Sequence, residues 1–107
     1  MIYRFKSKAG ADVIMLGPQG DQILRGLGRE PEVQGIFVKD QLPEALGALE
    51  RAVADDEASF ARQQAEARST GGPMPRREGV SLRQRAWPLI ELMRHALKAG
   101  DDVTWGV

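Results

Sequence analysis

Residues 81–100, SLRQRAWPLIELMRHALKAG, carry the most regular pattern in this chain. Apolar residues recur there every three or four positions, as they do along one face of an α-helix. At helical spacing these side chains share one arc of about 100°; they are Leu82, Ala86, Leu89, Ile90, Met93 and Leu97. Ser81 and Gln84 have the spacing of a capping box at a helix start, and Gly100 is typical of a helix end. The segment therefore predicts an amphipathic helix over 81–99.

The rest of the sequence predicts strands and further helices around this one. Apolar or alternating runs predict strands near 2–7, 11–16, 35–38 and 102–107, and helical spacing predicts helices near 18–28 and 40–67. The longer of these helices loses its apolar stripe after Val53, so we expect it to project beyond the core. Pro88 removes a backbone hydrogen bond from the last helix, so we expect a bend there.

The fold class that these elements predict is α+β. We expect a small, mainly antiparallel sheet of three or four strands with three helices packed on one face. The two terminal strands are able to pair, which would hold both chain ends.

A chain of 107 residues has the size of a single domain. Residues 69–79 contain three glycines and two prolines, which predicts a flexible loop over 68–79. The loop lies inside that domain, because the 28 residues after it are too few to fold alone. The sequence lacks both a membrane-spanning apolar run and the apolar segment of a signal peptide. We therefore expect a cytoplasmic protein without membrane contact.

Composition excludes several classes of function. The chain has no cysteine, which excludes disulfide scaffolds and cysteine-ligated metal sites. Its 15 basic and 15 acidic residues cancel, which argues against nucleic acid as a partner. The acidic run 55–57 points in three directions on a helix, so we expect no metal site and no cofactor. His95, the only histidine, has Glu91 one turn before it but no nucleophile as a partner, so we expect no catalytic residue.

The stretch most like a catalytic motif is GPQGD at residues 17–21, between a predicted strand and a predicted helix. Backbone amides at such a turn can hold a phosphate group. The segment lacks the Lys-Ser/Thr pair of a P-loop, however, and Pro18 has no amide to donate. A small-molecule or phosphate-binding enzyme at this turn, with Arg25 or Arg29 as the anion anchor, is the alternative function.

The favoured function comes from Trp87, which lies outside the apolar arc of the last helix and beside Arg83 and Arg94. Trp and Arg dominate binding hot spots, so this pattern is typical of an interface anchor. The competing interpretation is a Trp87 covered by the sheet or by the second helix. Arg76 and Arg77 in the predicted loop are further interaction candidates. The sequence thus favours a non-enzymatic interaction module that binds another protein or forms a homodimer.

Four segments carry a resemblance to known proteins. They are MIYRFKS at 1–7, Ile14–Leu16 leading into Gly20 and Ile23–Leu24, VSLRQRAWPL at 80–89, and the ending Trp105–Val107. With these segments the chain resembles, over nearly its whole length, a bacterial family of unknown function numbered eighteen-forty. The resemblance implies no activity, substrate or site residue, because the family has none assigned.

Overall fold

The base of the fold is an antiparallel sheet, which has four strands within the residues that the computed structural model describes, 2–76 and 80–106. The strands are β1 (Ile2–Ser7), β2 (Gly10–Leu16), β3 (Gly35–Phe37) and β4 (Val103–Trp105). Their order is β2-β1-β4-β3, and every neighbouring pair is antiparallel. The predicted pairing of the terminal strands is confirmed, since Phe5 of β1 lies opposite Trp105 of β4.

The described ranges also contain three α-helices, which confirms the predicted α+β class. They are α1 (Gly17–Gly26), α2 (Leu42–Thr70) and α3 (Leu82–Ala99), and a short 3-10 helix at Lys39–Gln41 precedes α2. The capping box at the start of α3 is confirmed: the Ser81 hydroxyl accepts from the Gln84 amide, and the Gln84 side chain accepts from the Ser81 amide. Helix α3 runs through Pro88 and ends at Gly100, whose φ is 73°.

Helix α2 continues beyond its predicted end near residue 67. It reaches Thr70, where Gly71 in the left-handed region ends it, so residues 68–70 are helical and not part of the loop. Its buried residues are Leu42, Ala45, Leu49, Val53 and Ala67. The stretch after Val53 stays helical because its Ala, Gln, Glu and Arg residues have high helix propensity. The helix therefore projects from the core, as its loss of apolar periodicity predicts.

A hydrophobic core lies between the sheet and the helices, with Trp105 at its centre. The Trp105 ring is fully buried and lies 5.8 Å from the ring of Phe5 and 5.3 Å from that of Phe37. Its indole N–H donates to the Glu32 carbonyl at 3.1 Å. In the described part of the chain, no helix combines the length and the apolar composition that a membrane crossing needs.

The opposite face of the sheet exposes large apolar side chains. Ile2, Ile14 and Leu16 point outward and keep 62%, 58% and 59% of their surface exposed. Outward positions of a sheet with one solvated face are normally polar. Strand β2 departs from that pattern, because its outward residues Ile14 and Leu16 are apolar. Its inward residues Val13 and Met15 are apolar and buried, so the strand is apolar on both sides.

Candidate interaction surface

The outer side of α3 forms an exposed surface around Trp87. The inward side of this helix is filled by Ala86, Leu89, Ile90, Leu92, Met93 and Ala96, all buried. Trp87 lies about 140° around the helix from Leu82, outside that buried side. It consequently keeps 45% of its surface exposed. Of the two interpretations of Trp87, the structure supports the exposed one.

Arg94 holds the indole of Trp87 from one side. Its guanidinium carbon lies 5.4 Å from the centre of the Trp87 ring, within the range of a cation–π contact. The same guanidinium donates to Glu91 on its own helix at 3.0 Å and to Glu50 on α2 at 3.2 Å. Exposed ion pairs of this kind contribute only about 0–1 kcal/mol each. Their effect here is positional, because together they fix the guanidinium against the ring.

Arg83 lies one helical turn before Trp87 on α3 and connects the same surface to α2. Its Nε donates to Glu57 Oε2 at 3.0 Å and its Nη2 donates to Glu57 Oε1 at 2.6 Å, which is a bidentate pair. These hydrogen bonds raise the pKa of Arg83 above its ordinary value. The position of the guanidinium is thereby fixed relative to α2.

Trp87 and Pro88 form the apolar centre between these two arginines. With Arg83 and Gln84 they line a shallow depression whose exposed surface is mostly apolar. A groove of about 210 Å³ continues from it between α2 and α3. We call Arg83, Trp87, Pro88 and Arg94 the Trp87 surface. It combines an exposed apolar centre with arginine side chains that are paired with glutamates on α2.

Arg76, one of the two loop arginines, lies apart from this surface. Arg76 lines a separate polar pocket beside Phe60 and Arg85. Arg85 lies on the other flank of α3, where its Nη1 donates to Gln22 of α1 at 3.4 Å. Arg77 lies outside the described residues.

Residues 17–21, predicted as a strand-to-helix turn, form the start of α1, and the Tyr3 ring packs against Gly20 there. A Cβ on Gly20 would lie 2.1 Å from Cδ2 of Tyr3. The Tyr3 hydroxyl donates a short hydrogen bond to the Asp21 carboxylate. Burial, and then this hydrogen bond, raise the pKa of Tyr3 to about 12. The packing at Gly20 therefore does not favour a phosphate-binding turn.

Arg29, one of the two suggested anion anchors, is engaged within the fold. Its Nη2 donates to the Ile36 carbonyl at 2.5 Å, and its guanidinium carbon lies 4.6 Å from the centre of the Phe37 ring. Arg25, the other anchor, is exposed on α1. The two arginines therefore do not form a prepared anion site with the turn.

His95 is exposed on α3, and its Nε2 lies 3.9 Å from Glu91 Oε2. Among residues 2–76 and 80–106, the acidic and histidine side chains form no cluster of three or more that could hold a metal ion.

A family model described as "Domain of unknown function (DUF1840)" matches residues 1–105. The chain belongs to that family. Membership confirms the resemblance drawn from the sequence. No curated protein and no solved structure matches the chain.

For this DUF1840 chain, sequence reasoning found Trp87 and its arginines but missed their acidic partners on α2. Glu50 and Glu57 are seven residues apart, so they lie on the same side of α2. Arg83 and Arg94 are eleven residues apart, which places them on one side of α3. Two acidic residues on one side of α2 and two basic residues on one side of α3 indicate that these sides face each other. Comparing the two helices would therefore have predicted both ion pairs.

Proposed function

We propose that this protein is a non-enzymatic interaction module of a bacterial cytoplasm, which binds another protein through the Trp87 surface. The observation that carries the proposal is the half-exposed Trp87 ring, held by Arg94 at 5.4 Å and followed directly by Pro88. Trp and Arg are the residue types that contribute most to binding hot spots. A ring that is already fixed loses little conformational entropy on binding.

The arrangement of apolar and charged groups indicates the chemistry of the partner. The centre, Trp87 and Pro88, is apolar, whereas Arg83 and Arg94 at its edges each have glutamate partners. An apolar centre with a polar rim is the usual anatomy of a protein–protein interface. We therefore expect a partner that places an apolar side chain on Trp87, in a complex that depends weakly on salt. A nucleic-acid complex would instead weaken steeply as salt is added.

Site-specific photo-crosslinking tests this proposal in cells of the source organism. A benzophenone amino acid replaces Trp87 in the full chain, and a matched variant carries it at Leu97. Leu97 lies on the same helix and is 38% exposed. We expect position 87, and not position 97, to give a crosslinked complex of one discrete mass.

The captured protein is then purified and titrated with the native chain and with two substitutions. We expect Trp87→Ala to weaken binding at least about tenfold, as hot-spot truncations do, and Leu97→Ala to leave binding unchanged. Equal crosslinking at both positions, or equal affinity of the Trp87→Ala variant and the native chain, would refute the proposal.

A further inference from the structure

A polar pocket of about 270 Å³ lies between the three helices, on the flank of α3 that does not carry the Trp87 surface. We call it the Arg85 pocket, after the residue of α3 that lines it together with Gln22, Gln63 and Arg76. Arg85 is two positions before Trp87 and therefore lies about 200° away from it around the helix. We propose that the Arg85 pocket binds the phosphate group of a small molecule. The proposal does not depend on the Trp87 surface.

Arg85 carries hydrogen-bond donors that the fold leaves without a strong acceptor. Its Nη1 donates to the Gln22 side chain at 3.4 Å, which is longer than the usual range of roughly 2.7–3.2 Å. Its Nε is buried and has no hydrogen-bond partner within residues 2–76 and 80–106. Buried donors almost always have an acceptor, either in the protein or from a bound molecule. The unpaired Nε therefore indicates that an acceptor from outside the chain binds at this place.

The nearby Arg83 shows what the free edge of Arg85 is able to bind. Arg83 places its Nε and Nη2 on the two carboxylate oxygens of Glu57. Arg85 uses Nη1 for Gln22, so its own Nε–Nη2 edge remains, and this edge matches two oxygens of a carboxylate or a phosphate. Because neighbouring side chains cover Nε, we expect a ligand to contact Nη2 first and Nε after a small side-chain shift.

The charge of the pocket favours phosphate over carboxylate. Arg76 adds a second guanidinium, whereas Asp56 is the one acidic residue among the described residues of the lining and already has an interaction of its own. A phosphate ester carries about −1.5 to −2 charges at pH 7 and three strong acceptor oxygens. Two arginines balance that charge, and the side-chain amides of Gln22 and Gln63 are able to donate to the remaining oxygen. A carboxylate, with one charge and two oxygens, would leave part of these donors unused.

The size and position of the pocket favour a small molecule. Its volume of about 270 Å³ equals that of about nine water molecules, which is enough for a phosphate and a short organic group. Its exposed surface is mostly polar, so it offers little apolar area to the side chains of a peptide. Val80 and Leu82 place the pocket at the N-terminal end of α3, whose partial positive charge adds to the attraction for an anion.

NMR titration of the full, ¹⁵N-labelled chain with inorganic phosphate tests the proposal, with sodium chloride at matched ionic strength as the blank. Phosphate is added from about 0.1 mM to about 50 mM, a range that includes weak affinities. We expect the Arg85 Nε–Hε resonance and the backbone amides of Gln22 and Gln63 to shift with one common dissociation constant. Sodium acetate should bind at least about tenfold more weakly, because it accepts fewer charge-assisted hydrogen bonds.

Charge-removing variants test the assignment to the two arginines. Arg76→Gln and Arg85→Gln should each raise the dissociation constant at least about tenfold. Arg62→Gln is the matched control, because Arg62 is exposed on α2 and does not line the pocket; solvent screening should keep its effect below about twofold. Circular dichroism checks folding. Arg76 lies outside the helices and strands, so Arg76→Gln decides the question even where Arg85→Gln fails to fold.

Three results would overturn the proposal. They are shifts that do not saturate by about 50 mM, an equal loss of affinity in Arg62→Gln and in the pocket variants, and acetate that binds as tightly as phosphate. A phosphoserine peptide should bind no more tightly than inorganic phosphate, and tighter binding would overturn the choice of a small molecule. Trp87→Ala should leave phosphate binding unchanged, so failure of this proposal and failure of the proposed function are distinguishable.

Discussion

Replacement of Gly20 by alanine tests how α1 is seated on the sheet. Gly20 is buried within α1, and its backbone lies against the ring of Tyr3. An alanine Cβ at this position would lie 2.1 Å from Cδ2 of Tyr3 and 2.7 Å from Cε2 and Cγ. Carbon atoms in contact normally lie about 3.5–4.0 Å apart. The helix and the ring must therefore separate by about 1.4 Å.

Two opposing effects determine how much Gly20→Ala changes the free energy of unfolding. Alanine favours a helix over glycine by about 1 kcal/mol, whereas overpacking of a core costs about 1–3 kcal/mol. We use the upper value, because the Tyr3 ring is held by its hydrogen bond to Asp21 and stacks on Phe5 at 6.0 Å. The net loss of unfolding free energy for Gly20→Ala is then about 2 kcal/mol. At about 4 °C per kcal/mol, the Tm falls by about 8 °C.

Gly47→Ala is the matched control, because it has the same helix propensity gain without the clash. Gly47 lies inside α2, and no atom outside its local helix backbone lies within 4 Å of the Cβ position. We expect this variant to gain about 0.8–1.0 kcal/mol. Thermal unfolding followed by far-UV circular dichroism measures both variants. If Gly20→Ala melts at or above the native Tm while Gly47→Ala behaves as expected, the account of the Tyr3 contact is wrong.

Two further predictions concern the ends of the chain. Tyr3 is the only tyrosine, so absorbance at the phenolate wavelength should report its titration near pH 12 in the folded protein and near pH 10 in urea. Because its pKa is raised on folding, this group stabilises the fold fully below about pH 10 and loses that contribution as the pH approaches 12; equal midpoints in the two states would contradict this. Gly106→Ala should lower the unfolding free energy by about 2 kcal/mol or more in urea titrations, since its φ is 76° and a Cβ would lie 2.1 Å from the Val33 carbonyl oxygen. An unchanged urea midpoint would show that the contact is not rigid.

Sequence reasoning succeeded where several local signals agreed. In α3 the apolar period, the capping box at Ser81 and the terminal Gly100 all indicated the same bounds, and the structure has them. It was less accurate for α2, because residues after Val53 have helix propensity but little to bury, and Gly71, which ends the helix, was counted as part of a loop that began at residue 68. The order β2-β1-β4-β3 was not predictable, since it depends on contacts between residues far apart in the sequence.

The candidate site likewise depends partly on local sequence signals and partly on contacts between residues far apart in the sequence. The helical wheel places Trp87 outside the core from its own segment alone. Its fixed orientation depends on Glu50, which is 44 residues from Arg94 in the sequence. The Tyr3 ring that packs against Gly20 is likewise distant from it in sequence. Local pattern therefore identified the candidate residues, and only the packing of helices and strands showed which of them are held in place.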